Sequence, residues 1–194
     1  VPAFVARLHA ADRGEVTKLA FEFLILTALR TSEVLGARWE EIDTVEAVWT
    51  VPAVRMKKKR VHRVPLSPRA LAVLDRAKVL ANDSPFVFPG QKPMKPLSNM
   101  AFDMTLRRMQ VPVTAHGFRS SFRDWAAEQT SYPHEVAEMA IAHVVKNRVE
   151  AAYRRGDLLD KRRGLMADWA SFCDGSGPAD KSKANDAASN QVNG

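Results

Sequence analysis

Four groups of residues in this chain have the types and spacing for chemistry. The first is Arg30 with Glu33. An arginine at the end of an apolar helix either satisfies the last helical carbonyls or presents a rigid two-pronged cation to phosphate. In the second case Glu33, one turn on, would orient it. The second group is His116-Gly117-Phe118-Arg119. His and Arg three apart share a helix face, Gly117 removes a side chain beside them, and Phe118 turns toward the core. Such a pair also arises on surfaces with no task. The third is Lys57-Lys58-Lys59-Arg60 with His62 and Arg63. A basic run of this kind guards a strand edge, or it carries a lysine into a DNA groove to protonate a leaving oxygen. The fourth is His143 with Tyr153, one of only two tyrosines. Arg154 and Arg155 follow Tyr153, and their field would lower its pKa and favour a nucleophilic phenolate. Taken alone, an interfacial tyrosine with a solvated hydroxyl accounts for it better.

The elements that must position these groups can be read from periodicity. Residues 15–29 are apolar on nearly every side, which predicts a buried helix ending at Arg30. Thr31-Ser32-Glu33 can open the next helix, with Val34, Leu35 and Trp39 as its apolar face. From Val45 the pattern turns β-branched and aromatic: Val48-Trp49, Val51, Val54, then Val61 to Leu66. This predicts a small antiparallel sheet of about three strands, with residues 56–60 near a hairpin turn. Ser67-Pro68 opens a helix carrying Leu71, Leu74 and Ala77. Residues 85–96, with four prolines and one glycine, read as a loop, and Ser98 or Asn99 as the cap of the helix after it. Four more helices are expected over 114–128, 133–142, 146–155 and 157–172. The fold class is therefore mainly α with one small three-stranded antiparallel sheet. Beyond Cys173 almost no large apolar residue remains, so one folded domain over 1–173 and a disordered tail over 174–194 are expected.

Charge is distributed unevenly. The 194 residues carry a net +7, but residues 51–123 hold 15 basic against 3 acidic residues, a net +12, while the flanking segments are slightly acidic. A surface that follows a polyanion's phosphates has this character. No apolar run reaches the length of a membrane span, and the start lacks the basic and apolar regions of a signal peptide. One cysteine excludes an intrachain disulfide, and a reducing, cytoplasmic setting is expected. A metal site built from His62, His116 and His143 is disfavoured, since no Asp or Glu lies at ligand spacing to them.

The order of the four groups resembles the tyrosine recombinases, the phage-type integrases of prophages and genomic islands. Three stretches carry the resemblance: residues 27–39 with Ile42-Asp43; Met56-Lys57 through His62-Arg63-Val64-Pro65-Leu66-Ser67; and His116-Gly117-Phe118-Arg119, followed by His143 and Ala151-Ala152-Tyr153-Arg154-Arg155. It covers roughly residues 1–172 and implies the recombinase catalytic-domain fold. It also implies that Arg30 and Arg119 clamp the scissile phosphate, with Glu33 supporting Arg30. Lys57 would protonate the departing 5′-oxygen, with Lys58 and Lys59 as alternatives for that role. His116 would assist proton transfer as the base for Tyr153, and His143 would donate a hydrogen bond to the phosphate. Tyr153 would attack in line to leave a 3′-phosphotyrosine, with no cofactor and no metal. Lys58, Lys59, Arg60, His62, Arg63, Arg154 and Arg155 would contact DNA.

One departure is Ile141-Ala142 where the family usually has Leu-Gly. Members normally also carry an N-terminal helical domain that closes on DNA from the other side, so an isolated catalytic fragment is expected. The partners implied are double-stranded attachment sites, further recombinase protomers forming a tetramer on DNA, and accessory directionality or DNA-bending proteins, with no membrane. Two other readings remain open: a type IB topoisomerase-like relaxing enzyme, and a catalytically decayed DNA-binding module. The helix from Asp157, free to pack on a neighbouring protomer, favours an integrase over a topoisomerase.

Overall fold

A computed structural model of the chain describes residues 1–92, 94–143 and 157–177. Helix α1 (Pro2–Ala10) and helix α2 (Glu15–Thr27) come first, then the short α3 (Thr31–Leu35). A 3-10 turn (Trp39–Glu41) leads into strand β1 (Ile42–Asp43), followed by β2 (Val48–Val51), a second 3-10 turn (Ala53–Arg55) and β3 (His62–Pro65). Helices α4 (Pro68–Leu80), α5 (Ala101–Arg108), α6 (Gly117–Glu128), α7 (His134–Ala140) and α8 (Leu159–Asp174) complete the described chain.

The all-round apolarity of α2 has a direct cause: every residue from Leu19 to Thr27 is buried. On one side Phe21 meets Phe102 of α5 and Phe118 of α6, with ring centroids 4.6 and 5.6 Å apart. On the other, Phe23 meets Trp49 of β2 and Phe88 at 5.4 and 5.5 Å. One charge is buried within this helix. Glu22 receives the His9 ring at 2.8 Å and Arg69 Nε at 2.6 Å, and these partners make its burial tolerable.

The sheet is antiparallel in the order β1-β2-β3, with Ile42 opposite Trp49 and Trp49 opposite Val64. Its first strand lies earlier than the Val45 start expected from composition. Val45 sits in the β1–β2 turn, which Glu46 N–H closes by donating to Asp43 Oδ1 at 2.8 Å. Val54 sits in a 3-10 turn, and both valines are exposed. A β-branched residue in a tight turn carries no strand signal of its own.

Other boundaries shift for local reasons. Helix α4 begins as expected, with Ser67 Oγ accepting from Ala70 N–H at 3.2 Å. Helix α5 starts after Met100, because Ser98 Oγ is spent on closing the preceding turn. Helix α6 starts at Gly117 rather than Thr114, whose hydroxyl and carbonyl both accept from Gly117 N–H. Helix α7 spans His134–Ala140, inside the 133–142 expected. The proline-rich loop is fastened to the core: Val87 N–H donates to Ala37 O, and Val87 and Phe88 are fully buried.

Helix α8, the one expected to be able to reach a neighbouring protomer, packs here against the sheet, α1, α2 and α7 of its own chain. Trp169 is buried against Phe122 and Trp125, and its Nε1 donates to Ile25 O at 2.8 Å. At its other end Arg162 is buried, with Nη1 on Arg63 O at 2.5 Å and Nε on Asp157 O at 2.8 Å. An apolar stripe this complete is satisfied within the domain. The helix expected over 146–155 lies outside the described residues, and of the tail expected over 174–194 only 174–177 are described, where Asp174 still belongs to α8 and Gly175 caps it.

Candidate active site

Helix α2 ends at Ala28, which takes a left-handed conformation with φ 50°. Two residues later Arg30 is extended and serves as the N-cap of α3, so it does not end α2 as its position in the sequence suggests. Its guanidinium turns to a carboxylate rather than to helix carbonyls: Nη1 donates to Glu33 Oε1 at 2.8 Å, and its backbone N–H donates to Glu33 Oε2 at 3.0 Å. Glu33 is 1% exposed while the Arg30 side chain keeps 23%. The carboxylate is thus a buried support, and the guanidinium faces outward from it.

Arg119 lies on the inner face of α6 and is 3% exposed. Its Nη1 donates to Ala28 O at 2.8 Å, and its Nη2 donates to Ile141 O. The left-handed turn at Ala28 and the end of α7 therefore aim their carbonyls at one arginine. Burial, and then the charge of Arg30, pull its pKa down to about 10, and it stays charged at neutral pH. Two of its five N–H groups go to carbonyls, leaving the planar fork fixed and its other donors for an anion. His116, at the N-cap position of α6, is exposed, and its carbonyl accepts from Arg119 N–H at 3.1 Å. Phe118 is buried against Phe4 and Phe21, as expected.

Past Ile141, Ala142 is left-handed with φ 55° and turns the chain to His143. The resemblance leads one to expect glycine at this position, and alanine adopts the conformation at a modest cost. His143 lies at 2.9 Å from Glu138 Oε2 through Nδ1, and Glu138 Oε1 accepts from Arg123 Nε at 2.7 Å. Burial pushes the Glu138 carboxyl up, but the bond to His143 and the Arg123 charge outweigh it and hold the pKa below its ordinary value. An ionised carboxylate on Nδ1 fixes the ring and points Nε2 away from α7.

The basic run occupies the β2–β3 connection. Met56 is buried and Lys57, Lys58, Lys59 and Arg60 are exposed, with Lys59 N–H donating to Met56 O at 3.0 Å to close the turn. His62 departs from its expected place among the DNA-facing residues. It is 8% exposed, its Nε2 lies 3.1 Å from Ala140 O, and it fastens β3 to α7. Burial, and next the charge of Arg162, lower its pKa to about 4, so it is neutral at pH 7 and brings no positive charge to this surface. Arg63 stays half exposed, 3.5 Å from Asp157. Tyr153, Arg154 and Arg155 lie outside the described residues. The other tyrosine, Tyr132, donates its hydroxyl to Asp168 at 2.8 Å, and burial followed by that bond raises its pKa well above the ordinary phenol value.

Arg30, Glu33 and Arg119 thus lie together where α2 ends and α6 begins, Arg119 also reaches Ile141 O two residues before His143, and His116 is exposed at the start of α6. Three contributors escaped the sequence reading: Arg55, Arg123 and Glu138. The last two carry a weak signal, since Arg123 is one turn past Arg119 and Glu138 five residues before His143.

The chain matches the phage integrase family model over residues 1–158. It belongs to that family. Among curated relatives, prophage integrase IntA of Escherichia coli (strain K12) is 38% identical over 175 residues, covering 89% of this chain and 42% of the relative. The integrase of Enterobacteria phage P4 is 35% identical over 192 residues, covering 89% of this chain and 44% of the relative. The chain therefore spans less than half the length of these relatives. Among solved structures, the integrase from mycobacterium phage Brujita superposes with a TM-score of 0.62 at 21% identity, over 84% of this chain and 54% of that one. The lambda integrase catalytic core gives 0.54 at 19% identity, over 72% of this chain and 89% of that core. The fold of this family member is that of an integrase catalytic domain, mainly helical around a three-stranded sheet.

Proposed function

We propose that this integrase-family chain carries the strand-breaking and rejoining chemistry of a site-specific DNA recombinase. The observation that carries the reading is the pair of arginines: Arg119 buried and fixed by two backbone carbonyls, and Arg30 held outward by Glu33. Two preorganised guanidiniums suit the non-bridging oxygens of one phosphate, whose charge grows in the pentavalent transition state. Tyr153 is the nucleophile of this reading, and the engagement of Tyr132 with Asp168 supports it, since that hydroxyl is already committed. The Tyr153 oxygen bonds to phosphorus, the bond to the 5′-oxygen breaks, Lys57 protonates that oxygen, and His116 takes the tyrosine proton. His143, held by Glu138, donates to the phosphate. The 3′-phosphotyrosine conserves the ester bond, so rejoining is the same exchange run backwards, without cofactor or metal. DNA attachment sites are the substrate and further protomers the partners. Lambda integrase has been solved as a dimer on a COC′ core site and as a tetramer on a Holliday junction, which supports that assembly.

The test is covalent trapping on a pool of nicked duplexes with a randomised core, in which the short cleaved fragment diffuses away. The expected product is a detergent-resistant, protease-sensitive adduct with a free 5′-hydroxyl, absent with Tyr153→Phe. DNA binding without an adduct would identify a binding module instead. Adducts of any sequence, with relaxation of supercoiled plasmid and no two-site recombination, would identify a topoisomerase.

A further inference from the structure

We propose that Arg55 is the positioning residue that sets the general-acid lysine against the phosphate clamp. This rests on the reading that the β2–β3 connection carries the acid. Arg55 ends the second 3-10 turn, two residues before Lys57. Its Nη1 donates to the Glu33 carbonyl at 2.8 Å and its Nη2 pairs with the Glu41 carboxylate. Glu33 also holds Arg30 through both carboxylate oxygens. One residue thus grips the clamp arginine with its side chain and the acid loop with its backbone.

The surroundings are shaped for this contact. A Cβ at Gly36 would lie 2.8 Å from Arg55 Nη1, so glycine there leaves the guanidinium its place. Met56 is 3% exposed and forms a second anchor, whereas Lys57 to Arg60 are all exposed. The loop is therefore pinned at residues 55 and 56 and reaches outward from 57. Stability alone is a poor account of a half-buried guanidinium whose Nε is buried with no hydrogen-bond partner among the described residues. An apolar side chain would close the same gap without that cost. What an apolar residue cannot do is fix a direction between two acceptors, and the planar fork of arginine does.

Leaving-group chemistry separates positioning from simple support. When sulfur replaces the bridging 5′-oxygen of the scissile phosphate, the thiolate departs without a proton and the acid becomes dispensable. The probe is the duplex selected by trapping, resynthesised with that sulfur, and cleavage rates are read for both duplexes. Lys57→Ala should lose about 100-fold or more on oxygen and recover on sulfur. Arg55→Lys should lose at least about 10-fold on oxygen and come within about 3-fold of the unaltered protein on sulfur, a smaller form of the same pattern. Glu41→Gln, which leaves Arg55 in place but removes its ionic partner, should follow Arg55→Lys more weakly. Arg30→Ala should stay impaired on both, because the clamp acts on any leaving group.

If Lys57→Ala recovers and neither Arg55→Lys nor Glu41→Gln does, Arg55 is a structural residue and the inference is overturned. Unimpaired cleavage of the oxygen duplex by Arg55→Lys overturns it too. Recovery of Arg55→Lys without Lys57→Ala keeps the positioning role and moves the acid to Lys58 or Lys59. Recovery of neither removes the acid reading of this loop and the inference with it.

Discussion

A buried polar side chain shows by its partners what it is for, and His62 and Arg119 make the contrast. Both are buried, and both reach the end of α7: His62 meets Ala140 O and Arg119 donates to Ile141 O. Arg119 keeps its charge there, while His62 is held neutral with a pKa near 4. The consequence for stability follows from linkage. An unfolded histidine titrates near its ordinary value of about 6.5, so between pH 6.5 and 4 the unfolded chain binds a proton that the folded one does not. Stability from this group is complete above about pH 6.5 and falls as pH drops to about 4, by at most about 3 kcal/mol. His62→Gln keeps an N–H for Ala140 O without the titration. Its unfolding free energy, followed by urea denaturation from pH 7 to 4, should decline less than that of the unaltered protein. Parallel pH profiles for the two would show that His62 is not the group responsible.

At the scale of elements, α8 joins the sheet, α1, α2 and α7 into one body. Trp169→Ala removes the largest ring of that joint and its bond to Ile25 O, which should cost roughly 3–5 kcal/mol in denaturant unfolding. Because the helix is satisfied within its own chain, the unfolding midpoint should not move across a hundredfold range of protein concentration. A midpoint that rises with concentration would mean that α8 lodges in a partner. Most elements were legible because each has a strong periodic or capping signal: α2 by its apolarity, α4 by Ser67-Pro68, the sheet by its β-branched runs. What was not legible depends on distant contacts. Nothing local tells that Trp169 pairs with Ile25, 144 residues away, or that α8 turns back on its own chain. The site divides in the same way. Order and spacing point to Arg30, Glu33, His116, Arg119 and His143 as candidates, whereas Arg55 and Glu138 reach partners that only the fold brings together. His62 was misread because a histidine in a basic run looks solvated until β3 carries it inward.

For the whole molecule, the net +12 of residues 51–123 overstates the positive charge that a polyanion would meet. Arg55 is committed to Glu41, Arg69 to Glu22 and Arg123 to Glu138. The exposed remainder is concentrated in Lys57 to Arg60, Lys92, Lys95, Arg107 and Arg108. These two classes should behave differently in salt. Each phosphate contact made by a free cation releases counterions and adds about 0.9 to the slope of log affinity against log salt. Replacing Lys58, Lys59 and Arg60 together by alanine should therefore flatten the slope by up to about 3 in anisotropy titrations on a duplex. Arg69→Ala should leave the slope unchanged and lower stability instead, since the buried Glu22 carboxylate loses a partner. An unchanged slope in the triple variant would place the β2–β3 loop off the phosphates. It would also remove the electrostatic reason for a basic run beside Lys57. A flattened slope with unimpaired trapping at low salt would make the three residues a means of docking, leaving the chemistry to Lys57 and the two arginines.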